Sequence, residues 1–151
     1  MLWYTHLAFG LLTGLFLLPF VNHANIYIFF AFVLIGALIP DIDTPTSKIG
    51  SKFGIFSKAI EKVFGHRGIV HTIWGMIVLC GLFWYFVNRT YGTALSIGFL
   101  SHLLIDGLTK KGINFTHPIA KLHLSGFIET GKLLEHVLLV LLIVAVLLIL
   151  F

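Results

Sequence analysis

The chain has 151 residues, 58% of them hydrophobic and 11% charged, with a net charge of +4 and a mean hydropathy of +1.03. That composition excludes an ordinary soluble domain, because too few polar residues remain to solvate the outside of a helical bundle. The small positive charge is explained by basic loops between apolar runs and gives no reason to expect nucleic acid as a partner. The length suits one compact unit, a single membrane-embedded domain over residues 1–151.

Five apolar runs stand out, at approximately 2–20, 24–40, 68–87, 91–108 and 133–151. Each is close to the ~20 residues with which a helix spans a hydrocarbon core. They predict an all-α polytopic membrane helix bundle of about five transmembrane helices, four plus a C-terminal helix. The first run carries His6, Gly10 and Gly14, and the two glycines allow close approach of another helix. It has no basic leader, and Leu17-Leu18-Pro19-Phe20 offers no small-residue cleavage site, so a retained segment is expected. The second run ends at Pro40, whose preceding residue is pushed towards extended geometry. Asp41 and Asp43 follow, two apart. In an extended segment they point to opposite sides, so that one ligates a metal while the other orients a histidine or bridges a second ion.

Residues 48–64 space Ile49, Phe53, Phe56, Ile60 and Phe64 three or four apart, interleaved with Lys48, Lys52, Lys58 and Lys62. This reads either as an interfacial amphipathic helix in the headgroup layer or as simple retention charge. The sequence HRGIVH, residues 66–71, places His66 in a loop beside Arg67 and His71 one turn into the third run. Cys80 is the single cysteine, which excludes an intramolecular disulfide. HLLID, residues 102–106, sets His102 and Asp106 on one helix face. Residues 109–132 read as an irregular loop with one short helix. Nine basic residues lie in the loops on one side and only Arg89 on the other. The positive-inside rule therefore puts the N-terminus and both basic loops in the cytoplasm and the C-terminus outside.

His6, Asp41, His66, His71, His102 and Asp106 thus share one predicted depth at one membrane face. A carboxylate in a membrane segment is costly and normally faces a partner, a cavity or an ion. The alternative for His102 and Asp106 is a packed hydrogen bond. Imidazole and carboxylate together suit zinc, with manganese as a second choice, whereas oxygen-only sites suit magnesium or calcium.

The ordered set of His6 with Gly10, PDID, HRGIVH with Thr72, and HLLID followed by Gly107-Leu108-Thr109 and Gly112 resembles the YdjM-like family of predicted inner-membrane metal-dependent hydrolases. The resemblance covers approximately residues 6–118. That family is distantly similar to zinc-dependent phospholipase C, whose zinc cluster includes a His-x-x-x-Asp pair like His102 and Asp106. The resemblance implies an all-helical metallophosphoesterase core recast as a membrane bundle. The soluble enzymes close their cluster with a late His-x-x-x-Glu pair, but here His136 is followed four residues later by Val140. One or two ions are therefore expected rather than three, with Glu135 and His136, His117 or His123 as alternatives for the missing pair.

The leading expectation is a membrane-bound metal-dependent hydrolase that cleaves a phosphoester at the cytoplasmic membrane surface. Lipid headgroups are its natural substrate class. Asp41 or Asp43 would act as general base, and Arg67 with Lys110 or Lys111 would hold phosphate oxygens. No serine or cysteine presents a triad. The rival expectation is a non-catalytic membrane metal-binding, sensing or scaffold protein. Conduction is disfavoured, because the opposite half offers mainly His23, Thr13 and Thr93, although an oligomer interface would add polar groups.

Overall fold

The computed structural model of the chain describes residues 1–22, 25–45, 47–48, 50–55, 57–58, 62, 69–120 and 122–151. Among the described residues, five long helices form the frame: α1 (Trp3–Leu17), α2 (Ile26–Gly36), α3 (Ile73–Phe86), α4 (Arg89–Gly107) and α5 (Leu133–Leu150). Three starts are fixed by side chains that accept otherwise orphaned backbone N–H groups. Asn25 accepts from Tyr27 and Ile28 at the head of α2, Thr72 from Gly75 at α3, and Asn88 from Tyr91 at α4. Helix α4 is central and packs against α1, α2 and α3, while α5 lies along α1.

Among the described residues, three segments are long and apolar enough to cross a membrane: Trp3–Phe20, Ile26–Asp43 and Leu133–Leu150. Helix α3 is a shorter apolar helix of the same character. Polarity is inverted relative to a soluble protein. Phe16, Tyr85, Phe86 and Leu148 are exposed, whereas His6, Asp43, His102, Asp106 and Glu135 are buried.

Lipid tails are as apolar as leucine, so helix association in a membrane rests on close packing more than on the hydrophobic effect. The α2–α4 crossing shows how. A Cβ on Gly98 would lie 1.9 Å from the Val33 carbonyl oxygen, and one on Gly36 would lie 2.2 Å from that of Leu95. Phe29, Val33, Phe99 and Leu103 are fully buried in the surrounding packing. Gly98→Ala should therefore lower stability by at least the ~1–3 kcal/mol of ordinary overpacking, because backbone cannot move aside as a side chain does. For a chain of this size that is a drop of roughly 3–10 °C in the unfolding midpoint in detergent. Gly81→Ala, also within a helix but in open space, should be neutral or stabilising. Equal midpoints for the two variants would contradict the packing argument.

Several local expectations change. Pro40–Asp43 is a 3-10 turn with proline in its first turn, not an extended segment, so the two aspartates diverge by helical rotation. His71 ends a second 3-10 turn, Ile69–His71, and precedes α3 rather than lying one turn inside it. The 109–132 segment contains an antiparallel pair, β1 (Ile113–Asn114) with β2 (His123–Leu124), where a loop with a short helix was expected. In the 48–64 stretch, Gly50–Phe53 forms one helical turn, and Lys48, Lys52, Lys58 and Lys62 are exposed. Ile49, Phe56, Ile60 and Phe64 lie outside the described residues, as do His23, His66 and Arg67. Lys48 sits 4.9 Å above the Trp3 ring, tying that loop to the head of α1.

Candidate metal centre

Helix α2 stops at Gly36, leaving carbonyls without a helical partner. The Ala37 carbonyl accepts from His102 Nδ1 at 2.7 Å. A carbonyl only accepts, so the His102 proton resides on Nδ1 and the Nε2 lone pair faces inward. His71 is fixed in the same manner from another side: its Nδ1 lies 3.0 Å from Asp43 Oδ2. Asp43 Oδ1 in turn accepts from Thr44 Oγ1 at 3.0 Å. The Thr72 cap anchors the chain immediately after His71.

His6 arrives from α1. Gly10, one turn later, lets that helix close on α2 and α4, since an added Cβ would meet Ala37 Cβ at 2.9 Å and Ser101 Oγ at 3.5 Å. The His6 ring then stacks on His102 with centroids 3.8 Å apart and planes 8° apart. His71 meets the same ring edge-on at 5.3 Å. His6 Nε2 is 3.4 Å from Asp106 Oδ1, and His102 Nε2 is 3.8 Å from Asp106 Oδ2. The Met1 amino group also reaches Asp106 Oδ1, at 2.6 Å.

Among the described residues, two overlapping sets could each hold a metal ion: His6, His102 and Asp106, and Asp41, His71 and His102, each with ligand atoms within 4.8 Å of one another. Both draw on His102, whose Nδ1 is already engaged. A single imidazole lone pair cannot bridge two ions, so the sets describe either one shared centre or two ions joined by carboxylates.

The donors fit a metal on a second ground. Among the described residues, both nitrogens of His6 and the Nε2 atoms of His71 and His102 are buried without a hydrogen-bond partner. Buried polar atoms are normally satisfied, and leaving one unmade costs about 1–3 kcal/mol. Several such nitrogens converging beside two carboxylates is the donor chemistry of a zinc-type site.

Other expected residues lie elsewhere. His123 and His136 are exposed, bonded to Asn114 and to the Lys132 carbonyl, and His117 is outside the cluster and exposed. Lys110 is engaged with Glu129, which also pairs with Lys132. These two lysines hold the exposed Glu129 carboxyl well below the usual range, at about 2. Glu135 is buried but has a different task. It accepts from Leu2 N at 2.6 Å, Thr5 Oγ1 at 3.1 Å and Gly131 N at 2.6 Å, pinning the head of α1 to α5. Thr109 and Gly112 close α4: Thr109 Oγ1 donates to the Asp106 carbonyl at 2.7 Å, and Gly112 takes φ +61°, which favours glycine. The capping role of Glu135 was hidden in the sequence, because its donors at Leu2 and Thr5 lie 133 and 130 residues away.

A membrane-embedded helical protein with a buried histidine–carboxylate cluster is the class these features define. The family model described as YdjM inner membrane protein matches residues 1–151, and the chain belongs to that family. It is 38% identical over 112 residues to "Uncharacterized protein YvsG" of Bacillus subtilis (strain 168), covering 70% of this chain and 67% of that one. It is 29% identical over 124 residues to "Inner membrane protein YdjM" of Escherichia coli (strain K12), covering 75% of this chain and 63% of the relative. The chain thus spans roughly two thirds of the curated relatives it matches. No solved structure matches it.

Proposed function

We propose that the protein is a membrane-bound metal-dependent hydrolase that cleaves a phosphoester, with lipid headgroups as the substrate class. The observation that carries this reading is the set of buried, unpartnered nitrogens of His6, His71 and His102 beside Asp41 and Asp106. These five residues would hold one divalent ion or two adjacent ones, zinc foremost and manganese second. A bound ion there would polarise a phosphoryl oxygen and acidify water at neutral pH. Asp41 is the least buried aspartate of the cluster, 9% exposed, and its carboxylate oxygen not used on the ion is the one we assign to accept a proton from water. Asp43, bonded to His71, is assigned to positioning rather than to proton transfer. Arg67 and Lys111 are assigned to the phosphate, since Lys110 is held by Glu129.

The reading includes a topology: a single domain of five spans, with the N-terminus and the basic loops in the cytoplasm and the amphipathic 48–64 stretch in the headgroup layer. A cysteine at exposed Lys58 should then resist impermeant thiol reagents in intact cells. Rapid labelling there would place the chemistry on the opposite face.

Asp43→Asn provides the catalytic test. Its amide keeps an acceptor but loses the charge that supports His71, so metal affinity should fall about 10–100-fold, as for other outer partners of ligating histidines. Activity on a phospholipid and phosphoester panel should fall in step at subsaturating metal and recover at saturating metal. Loss of turnover that excess metal does not restore would instead make Asp43 the proton acceptor. Stoichiometric metal without turnover on any phosphoester would favour the sensing or scaffold reading.

A further inference from the structure

The two 3-10 turns that carry Asp41, Asp43 and His71 also bring apolar residues to the lining of one cavity. Ile39 and Ile42 flank Asp41, and Val70 precedes His71. Together with Leu79 and Phe83 of α3 and Leu95 of α4 they enclose a cavity of about 510 Å³. Among the described residues, its one polar lining residue is Asp43, the carboxylate bonded to His71. The volume falls within the roughly 300–1,000 Å³ of small-molecule sites.

The cavity has a direction. Leu79 lies eight residues beyond His71 and Leu95 seven before His102, which at ~1.5 Å per helical residue puts its far end some 10–12 Å from the cluster along the bundle. Leu79, at the mouth, is 44% exposed on a helix whose outer side is apolar, while Leu95 at the floor is 5% exposed. A slot open on the apolar flank, floored by leucine and touching the cluster through Asp43, the partner of His71, matches a molecule with a hydrocarbon tail and a polar head.

We infer that this cavity holds one acyl chain of a phosphoester lipid whose headgroup is presented to the His–Asp cluster. The inference rests on the hydrolase reading for its headgroup and on the cavity for its chain. A lipid so held needs no extraction into water, since its chain passes from bilayer to slot. Because lipid tails are as apolar as the leucines of the slot, the gain over bilayer comes from close packing, and it is read most directly as occupancy.

The test is photolabelling of the full chain in phosphatidylcholine nanodiscs carrying trace phosphatidic acid with a mid-chain diazirine. The expected result is label on Leu95 and Phe83, reduced about tenfold by Leu79→Trp, whose larger side chain fills the mouth; tenfold corresponds to about 1.4 kcal/mol. Leu79→Ala, which widens the mouth, should keep the label. Diacylglycerol with the same photoreactive chain should label exposed Phe86 and Leu148 as strongly as phosphatidic acid does, yet label Leu95 weakly. Metal content serves as the check that Leu79→Trp is folded; if that variant is lost, the contrast between the two lipids at Leu95 decides alone. Leu95 label that is absent, or equal for both lipids, overturns the proposal. Label at Leu95 without turnover keeps the chain slot and removes the hydrolase, whereas turnover with no label at Leu95 keeps the hydrolase and removes the slot.

Discussion

Replacing His102 by alanine is expected to abolish metal-dependent stabilisation of the protein. His102 belongs to both ligand sets and stands between the His6 and His71 rings. Its orientation is fixed by the carbonyl that ends α2. Wild type held at a metal concentration a hundredfold above its Kd should gain about 2.7 kcal/mol in unfolding free energy, seen as a chelator-sensitive rise in midpoint. In the variant that rise should vanish, and hydrolysis should fall at least as far as the roughly 10²–10⁴-fold typical of lost acid–base catalysis. Apart from the metal, the variant also leaves the Ala37 carbonyl without its donor, a cost of about 1–3 kcal/mol. The metal-free variant should therefore unfold somewhat earlier than metal-free wild type. An unchanged response to metal would remove His102 from the site.

The second large effect is expected at Glu135. Its carboxylate, itself buried, satisfies Leu2 N, Thr5 Oγ1 and Gly131 N. Glu135→Ala leaves these three donors without their acceptor, at about 1–3 kcal/mol for each that stays buried. The damage should reach the metal centre, because His6 is four residues from Leu2 on the helix that Glu135 anchors. Glu135→Gln should fall between the two. Its amide oxygen can still serve Leu2 and Thr5, but its NH2 group would face the Gly131 N–H. Thermal unfolding and metal titration of the three proteins check the order: wild type, glutamine, alanine. A Glu135→Ala protein with normal stability but no metal would instead make Glu135 a ligand.

The sequence displays the residues of the centre more clearly than their partners. His6, Asp41, His71, His102 and Asp106 can be read as a group because ionisable side chains are rare in apolar runs and each falls near a run's end. What the aspartates do depends on backbone shape. In an extended PDID segment the two carboxylates would oppose one another, whereas the observed 3-10 turn sends Asp43 to His71 and leaves Asp41 in a ligand set. A pattern of residues two apart does not distinguish these cases. The α2–α4 crossing was equally hidden. Gly10 and Gly14 are conspicuous in a short run, but the tightest approach is made by Gly98, whose partner Val33 is 65 residues away. The small hairpin at Ile113–Asn114 was missed because two-residue strands carry no periodicity.

X-ray absorption at the zinc edge of the metal-loaded full chain tests the central claim most directly. A cluster of His6, His71 and His102 with Asp41 and Asp106 predicts nitrogen and oxygen scatterers at about 2.0–2.2 Å. It also predicts the outer-shell scattering of at least two imidazoles, and no zinc signal of this kind from His102→Ala. A zinc ion surrounded by oxygen alone, or imidazole scattering that survives unchanged in His102→Ala, would contradict it.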